Sequence, residues 1–330
     1  MIAGAGTRAP AVCAALAAAF ALAVSVTASA DYVHVVRPGE TLASIAQVYY
    51  GDPRREGVIV AENGLTTQGG AAIVVGLRLV VPWVGHHVVS EGETWSQLAE
   101  RFYGDSRRAF LLIEANDGSA GDQPDVGAEL VVPYPLRHVA GQNETLRRVA
   151  QIYYGADTGP NVRDLRRFNN MRSIRLSRGQ VVLVPMKDLV LSEEGRRIIA
   201  EGTGEPVHGG AMRELQQRIE QRLPDLREHV RRGQYAEAVS LGNRLLGAGQ
   251  LTGNQIVTIQ RELGTAYVAL DRSDMAVTAF RAALERQPDL ELDVARTSPT
   301  VLEAFREAKQ ARIRRAAPPD AGVADGAATD

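Results

Sequence analysis

Three clusters of polar residues recur along this chain, and each contains a carboxylate, a hydroxyl and an amide. They are Glu40, Thr41 and Asn63; Glu93, Thr94 and Asn116; and Glu144, Thr145 and Asn169. Side chains of these types can hold a polar ligand through hydrogen bonds. They can equally serve the fold alone, because threonine caps helices and asparagine forms turns. The clusters therefore raise a binding hypothesis, and the elements around them must position it.

Residue patterns that would indicate catalysis are not found. Cys13, the only cysteine, lies in an apolar N-terminal stretch, which argues against a thiolate nucleophile. The six histidines show neither HExxH nor HxH spacing, so no metal site is expected at His34, His86, His87, His138, His208 or His229. A two-carboxylate glycosidase is not excluded by motif. It would need a domain with a cleft, whereas repeats occupy nearly all of the chain, so we expect no enzyme and no cofactor.

The polar clusters belong to a longer repeat. The sequence Gly-Glu-Thr-Leu at residues 39–42 returns as Gly-Glu-Thr-Trp at 92–95 and as Asn-Glu-Thr-Leu at 143–146, at offsets of 53 and 51 residues. Each copy continues with apolar residues at i, i+3, i+4 and i+7, then an aromatic pair and a glycine. This pattern predicts a helix that the threonine caps and the glycine ends. A second short helix and two flanking β-rich runs complete a strand, helix, helix, strand unit.

The repeat resembles the LysM family of small glycan-binding modules, whose pattern has a Gly-Asp-Thr-Leu turn, an Ile-Ala helix, a Tyr-Gly stop, an asparagine and a closing Gly-Gln-x-Leu-x-Ile-Pro strand. This chain departs from the pattern with Glu for Asp in every copy, Asn143 for the turn glycine and Trp95 for leucine. The resemblance implies an α+β fold with three tandem modules at residues 31–83, 84–135 and 136–186.

The same resemblance implies a ligand and a site. The ligand is N-acetylglucosamine in peptidoglycan or a related glycan, held between the turn before the first helix and the loop after the second. The implied contact residues are Gly39, Glu40, Thr41, Leu42, Asn63, Leu65, Gly92, Glu93, Thr94, Trp95, Asn116, Asn143, Glu144, Thr145, Leu146, Asn169 and Met171.

The N-terminal 30 residues are typical of a secretory signal peptide. An apolar run ends at the small-residue site Ala28-Ser29-Ala30, which predicts cleavage after Ala30. We therefore expect an exported protein of the periplasm or cell wall, with no transmembrane anchor in the mature chain. The formal net charge of −2 lacks the basic excess that a nucleic-acid partner would need.

The C-terminal part changes to a helical period. Residues 187–210 lack a clear pattern and are predicted to be a linker, residues 211–315 are predicted to be all-α, and residues 316–330 are predicted to be disordered. Within the helical part, seven residues resemble a tetratricopeptide repeat, in which small residues let two helices approach and large ones fill the gap. They are Leu263, Gly264, Tyr267, Ala276, Phe280, Ala283 and Pro288. The resemblance implies an unidentified protein partner.

Three hypotheses follow. The first is a non-catalytic envelope protein that docks on peptidoglycan and presents the helical repeats to a partner. The second is an accessory subunit that targets a cell-wall hydrolase or an envelope-spanning machine. The third is a scaffold whose modules no longer bind glycan.

Overall fold

The structure is a computed structural model that describes residues 32–65, 73–203 and 210–316. The predicted signal peptide at residues 1–30 lies outside the described residues, and so does the predicted tail at residues 316–330 except for Ala316, which is the last residue of a helix. In the part of the chain that is described, no helix combines the length and the apolar character needed to cross a membrane.

The first half of the described chain forms three strand, helix, helix, strand units. Unit 1 consists of β1 (Tyr32–Val35), α1 (Leu42–Tyr50), α2 (Glu56–Glu62) and β2 (Arg78–Val81). Unit 2 consists of β3 (Gly85–Val88), α3 (Trp95–Tyr103), α4 (Ala109–Ala115) and β4 (Glu129–Val132). Unit 3 consists of β5 (Tyr134–Val139), α5 (Leu146–Tyr154), α6 (Gly159–Phe168) and β6 (Val181–Met186). Each unit pairs its two strands antiparallel into a sheet of its own.

The boundary between units 2 and 3 lies two residues earlier than predicted. Tyr134 and Pro135, which were predicted to belong to the second module, pair with Met186 and Pro185 in the sheet of unit 3. The proline after β4 is Pro133, and it ends the strand as the pattern predicts.

The first helix of each unit begins and ends where the sequence predicts. Thr41, Thr94 and Thr145 have extended backbones, and each side chain accepts the backbone N–H of the residue three positions later. Gly51 follows α1 with φ of 70°, in the left-handed region that glycine adopts without strain, and α3 and α5 end in the same way. A two-stranded sheet is only marginally stable alone, so each unit depends on packing its sheet against these helices.

Unit 3 packs against both other units although it comes last in the sequence. Val58 of α2 lies in the hydrophobic core of unit 3. Phe168, at the end of α6, lies in the core of unit 2, where its ring meets Tyr103 edge-on with the centroids 5.5 Å apart. Buried apolar side chains therefore join the units, in addition to the short connections between them.

The linker prediction for residues 187–210 is corrected by an eleven-residue helix, α7 (Glu193–Thr203), which packs on unit 1. Ile199 is buried in the core of that unit. A Cβ at Gly195 would lie 2.8 Å from the carbonyl oxygen of Tyr49, so glycine is what permits this close approach. The prediction was wrong because α7 buries few residues. So few buried positions do not produce a clear helical period in the sequence.

The C-terminal region is all-α, as predicted. Its helices are α8 (Ala211–Glu220), α9 (Leu223–Arg231), α10 (Tyr235–Gly247), α11 (Gly253–Ala269), α12 (Ser273–Arg286) and α13 (Pro299–Ala316). They share one continuous hydrophobic core.

The seven repeat-like positions lie on α11, α12 and the segment after α12. Six of them are buried, Leu263, Gly264, Tyr267, Ala276, Phe280 and Ala283, and Pro288 is exposed. The Phe280 ring fills the space beside Gly264, where an added Cβ would lie 2.6 Å from it. The small-and-large contact has therefore formed, and the tetratricopeptide assignment stays a prediction.

The helical region docks on unit 2 through buried amide groups. Gln216 of α8 is 6% exposed; its Oε1 accepts the N–H of Glu129 at 3.1 Å, and its Nε2 donates to the carbonyl oxygen of Gly127 at 2.7 Å. Gln255 of α11 is also buried and donates to the carbonyl oxygen of Gln216 at 2.8 Å. Because a buried amide without a partner is costly, these bonds fix the helical region on unit 2.

A second set of contacts joins unit 2 to the beginning of α11. The carboxylate of Asp125 accepts the N–H of Asn254 at 3.2 Å and 3.3 Å, and Gly253 donates its N–H to the carbonyl oxygen of Val126 at 2.9 Å. The turn before β4 is therefore part of the interface with the helical region.

Candidate functional site

The glutamate of the turn before the first helix holds that turn to the first strand. In unit 1, Oε2 of Glu40 accepts the backbone N–H of Arg37 at 2.7 Å and lies 2.8 Å from Nε2 of His34. Unit 2 repeats the arrangement with Glu93, Ser90 and His87, and unit 3 repeats it with Glu144, Gly141 and His138. We call each histidine and glutamate pair, with its backbone donor, a turn clamp.

Sequence reasoning missed the histidines of the turn clamps. They were considered as metal ligands or as strand residues, but His34, His87 and His138 are separated by the same 53 and 51 residues as the rest of the repeat. Each stands six residues before the turn glutamate. That constant spacing was the signal that could have found them.

The turn clamps of the three units differ in the aromatic residue that the histidine contacts on the side away from the glutamate. Nδ1 of His34 lies 3.0 Å from the hydroxyl of Tyr49, and Nδ1 of His138 lies 2.9 Å from the hydroxyl of Tyr153. Unit 2 has Phe102 at this place, which meets His87 edge-on with no hydroxyl to offer. His87 therefore has one hydrogen-bond partner fewer than His34 and His138, whereas Glu93 of the same clamp also accepts a hydrogen bond from Arg101 at 3.2 Å.

The clamp glutamates of units 1 and 2 are held in the ionised form. Burial raises the pKa of Glu40, but the N–H of Arg37 and the ring of His34 lower it by more, so the pKa lies below its ordinary value. The pKa of Glu93 is lowered in the same way, against burial, by Ser90, His87 and Arg101. Because an ionised carboxylate only accepts hydrogen bonds, the histidine Nε2 carries the proton.

The three predicted asparagines support the fold with their side chains. Nδ2 of Asn63 donates to the carbonyl oxygens of Ile59 and Val80, and its Oδ1 accepts the N–H of Val80 at 2.8 Å. Asn116 and Asn169 make the corresponding three bonds in their own units. Each asparagine thus ties the end of the second helix to the closing strand, and its amide is occupied without a ligand.

The other predicted contact residues differ in exposure. Gly39, Thr41, Gly92 and Asn143 are exposed; Glu40, Glu93, Thr94, Glu144, Thr145, Leu65 and Met171 are half-buried; and Leu42, Trp95 and Leu146 are buried. The tips of the turns are therefore accessible, and the apolar residue that follows each threonine belongs to the core.

In unit 2 the candidate groove is filled by the loop after α4. Trp95 is 7% exposed, and its Nε1 donates to the carbonyl oxygen of Asp122 at 3.0 Å. Gly118 lies against the same ring, where an added Cβ would be 3.0 Å from it. The indole face that could have stacked on a sugar is covered by the protein itself.

In unit 3 the two sides of the candidate groove are joined by backbone hydrogen bonds. Leu146 donates its N–H to Ile174 at 2.8 Å, and Leu176 donates to the carbonyl oxygen of Glu144 at 3.0 Å. A ligand there must use the side chains around this junction, because these backbone groups are taken. In unit 1 the corresponding loop, residues 66–72, lies outside the described part of the chain.

Units 2 and 3 carry opposite charges. Residues 84–133 contain three arginines and nine acidic residues, whereas residues 134–186 contain nine arginines and three acidic residues. No cluster of three or more potential metal ligands occurs among the described residues.

The sequence of the first and third units also matches a known domain. Residues 34–82 and 138–185 match the LysM domain. The LysM matches support binding of glycan such as peptidoglycan, and LysM domains are typical of extracellular and cell-envelope proteins. The matched residues do not include the middle unit, so a count of three LysM modules stays a prediction.

Two curated relatives from Mycobacterium tuberculosis, one from each of two strains, are named esterases. Each is 34% identical over 122 residues, which is 37% of this chain and 26% of the relative. This chain thus spans about a quarter of the length of these relatives. The prediction that the protein is not an enzyme is overturned by these names, which point to an enzyme relative. No solved structure matches the chain significantly.

Proposed function

We propose that units 1 and 3 bind glycan that contains N-acetylglucosamine, with peptidoglycan as the natural ligand. The observation that carries the proposal is the LysM match to these two units, at residues 34–82 and 138–185. Each has an exposed turn tip that is fixed by a turn clamp, and the histidine of that clamp is also within hydrogen-bond distance of a tyrosine hydroxyl. A turn held in place before binding loses little conformational freedom on binding, which favours affinity.

Unit 2 is, in this proposal, a LysM-like unit that has exchanged glycan binding for a structural role. Trp95 is covered by its own loop, and the turn before β4 is occupied by α8 and α11. The third hypothesis, a scaffold without glycan binding, therefore applies to this unit alone.

Hydrogen exchange on the intact protein tests this division. Saturating chitotetraose, a neutral N-acetylglucosamine oligomer, should slow amide exchange in residues 37–46 and 141–150 and leave residues 90–99 unchanged. Equal slowing in all three turns would contradict the role given to unit 2. No slowing in any turn would contradict glycan binding.

We further propose that the exported protein presents the helical region to a protein partner. A cavity of about 570 Å³ lies beside α11 and α13, with Arg261, Glu262, Glu291 and Arg296 in its lining. The mixture of charges suits a polar protein segment. Co-purification of a partner should be lost with Arg261→Glu and Arg296→Glu together and kept with Arg227→Glu, a charge reversal on α9.

The esterase relatives favour a second candidate, in which the chain takes part in ester hydrolysis at the wall glycan, itself or through a partner. Purified protein incubated with 4-nitrophenyl acetate decides where the activity lies. Release of nitrophenol above that of heat-inactivated protein would place it in this chain. Release that appears only when the co-purified partner is added would assign a targeting role.

A further inference from the structure

Unit 3 presents a group of exposed arginines at its candidate groove. Arg148 lies in the first turn of α5, and Arg172, Arg175 and Arg178 lie in the segment between α6 and β6. We call these four residues the arginine cluster. None of them lies within 4.0 Å of a carboxylate in the described part of the chain.

The backbone brings the two parts of the cluster together. Thr145 and Arg175 face each other in an isolated antiparallel bridge, flanked by the hydrogen bonds that join the two sides of the groove. Arg148 follows Thr145 by three residues, and Arg172 and Arg178 stand three residues to either side of Arg175. The cluster therefore borders the site that the LysM resemblance assigns to a sugar.

Arg148 occupies a position where the other units use a neutral capping residue. Ser44 and Gln97, at the third helical position of α1 and α3, complete capping boxes with the threonines before them. In unit 3 the threonine cap remains, but Arg148 makes no return bond. A cation in the first turn is also unfavourable next to the positive end of the helix dipole. Departures from local rules of this kind are expected at functional sites.

The opposite charge of unit 2 does not account for the arginine cluster. Asp125 and Glu129 of unit 2 bind backbone N–H groups at the beginnings of α11 and α8. Glu114 of unit 2 forms an ion pair with Lys187, the residue after β6, which does not belong to the cluster. The positive charge of the groove is therefore left for a ligand.

We propose that the arginine cluster binds carboxylates carried by the peptide side chains of peptidoglycan, so that unit 3 prefers this polymer to neutral chitin-like glycan. The proposal rests on the glycan-binding function proposed above for unit 3. A guanidinium group matches a carboxylate with two parallel hydrogen bonds. Exposed pairs contribute little singly, so the preference is a collective property of the cluster.

The test compares three insoluble polymers with the full-length protein. They are peptidoglycan freed of phosphate-linked polymers by acid, the same peptidoglycan with its carboxylates converted to amides, and chitin. We expect amidation to weaken binding by about tenfold, since several exposed charge pairs are lost together. Raising the salt concentration should reduce the preference for native peptidoglycan, because exposed charges are screened.

The variant is the double substitution Arg148→Gln and Arg175→Gln. Glutamine is the residue that unit 2 carries at the same helical position, so α5 should keep its stability, and a thermal melt checks this. The variant should bind native peptidoglycan about as weakly as the wild type binds the amidated form. The matched control, Arg218→Gln with Arg227→Gln in α8 and α9, changes the net charge equally and should keep the wild-type preference.

Each outcome bears on one proposal. Equal binding to native and amidated peptidoglycan, or equal loss in the control variant, would overturn the arginine proposal and leave glycan binding intact. Because the peptidoglycan is freed of phosphate-linked polymers beforehand, an absence of any preference for it over chitin would overturn the assignment to carboxylates. Binding to anionic lipid vesicles as strongly as to peptidoglycan would overturn the choice of glycan. Binding to none of the three polymers would instead refute the proposed function itself.

Discussion

Units 2 and 3 are built to the same plan and differ in what surrounds their grooves. Both have the threonine cap, the left-handed glycine, the bridging asparagine and the turn clamp. In unit 2 the loop after the second helix carries Asp117, Asp122 and Asp125, folds over Trp95 and contacts the helical region. In unit 3 the corresponding segment carries three exposed arginines. The residues that define the repeat therefore maintain the fold, and the residues that vary set what each unit contacts.

The largest effect is expected from Gln216→Ala, which breaks the docking that distinguishes unit 2. The N–H of Glu129 and the carbonyl oxygens of Gly127 and Gln250 would lose a buried partner, at a cost of about 3 kcal/mol. Hydrogen exchange should speed up in β4 and α8 and stay unchanged in β5 and β6. The exposed neighbour Gln217→Ala is the control and should leave all four elements unchanged. Faster exchange throughout unit 3 would show that the docking supports every unit.

A smaller loss is expected from Gly264→Ala, which places a Cβ against the Phe280 ring. Overpacking of this kind costs about 1 to 3 kcal/mol. The melting temperature of the helical region should fall, whereas peptidoglycan binding should persist because units 1 and 3 carry it. Gly247→Ala, at a helical position with open space around it, should be neutral or slightly stabilising. Lost peptidoglycan binding in soluble Gly264→Ala protein would join the helical region to the glycan site.

Exchanging one hydroxyl should make the turn clamps of units 2 and 3 alike. Phe102→Tyr would give His87 the partner that His138 has in Tyr153, and should stabilise unit 2 by about 1 kcal/mol. Tyr153→Phe should destabilise unit 3 by a similar amount. Chemical denaturation followed by amide exchange in each unit measures both changes. If Phe102→Tyr were destabilising, the ring of unit 2 would lack room for a hydroxyl.

The smallest effect is expected from acid. Glu40 and Glu93 have a folded-state pKa below the ordinary 4.5, so their clamps contribute fully above pH 4.5 and lose that contribution as the pH falls through the lower folded-state value. The amide NMR signals of Arg37 and Ser90 should shift over this range. Glu40→Gln should abolish the shift in unit 1 and leave that of unit 2, and a shift that survives the substitution would implicate another group.

The local structure of each unit could be predicted because its signals are short-range. Thr41 caps the residue three positions later, and Gly51 ends the same helix, so neither depends on distant parts of the chain. The structural role of the asparagines could not be predicted, because their partners, such as Val80 for Asn63, lie across the unit. An amide that binds a sugar looks the same in sequence as one that binds a strand, so glycan contact by these residues stays a prediction. The covering of Trp95 and the docking through Gln216 depend on contacts between distant segments, which no local pattern reports.

The central position of unit 3 has a consequence for how the chain reaches its folded state. Val58 of unit 1 belongs to a core that lies mostly in unit 3, and one of its members there, Val149, emerges about 90 residues later. At synthesis rates of roughly 5 to 20 residues per second, synthesis of the intervening residues takes on the order of 5 to 20 s, and during that time Val58 lacks its partners in unit 3. The first two units thus complete their surfaces only when the third arrives. A chain interrupted before β5 would leave the apolar surface that unit 3 normally covers exposed to solvent, and that surface would favour association with other chains.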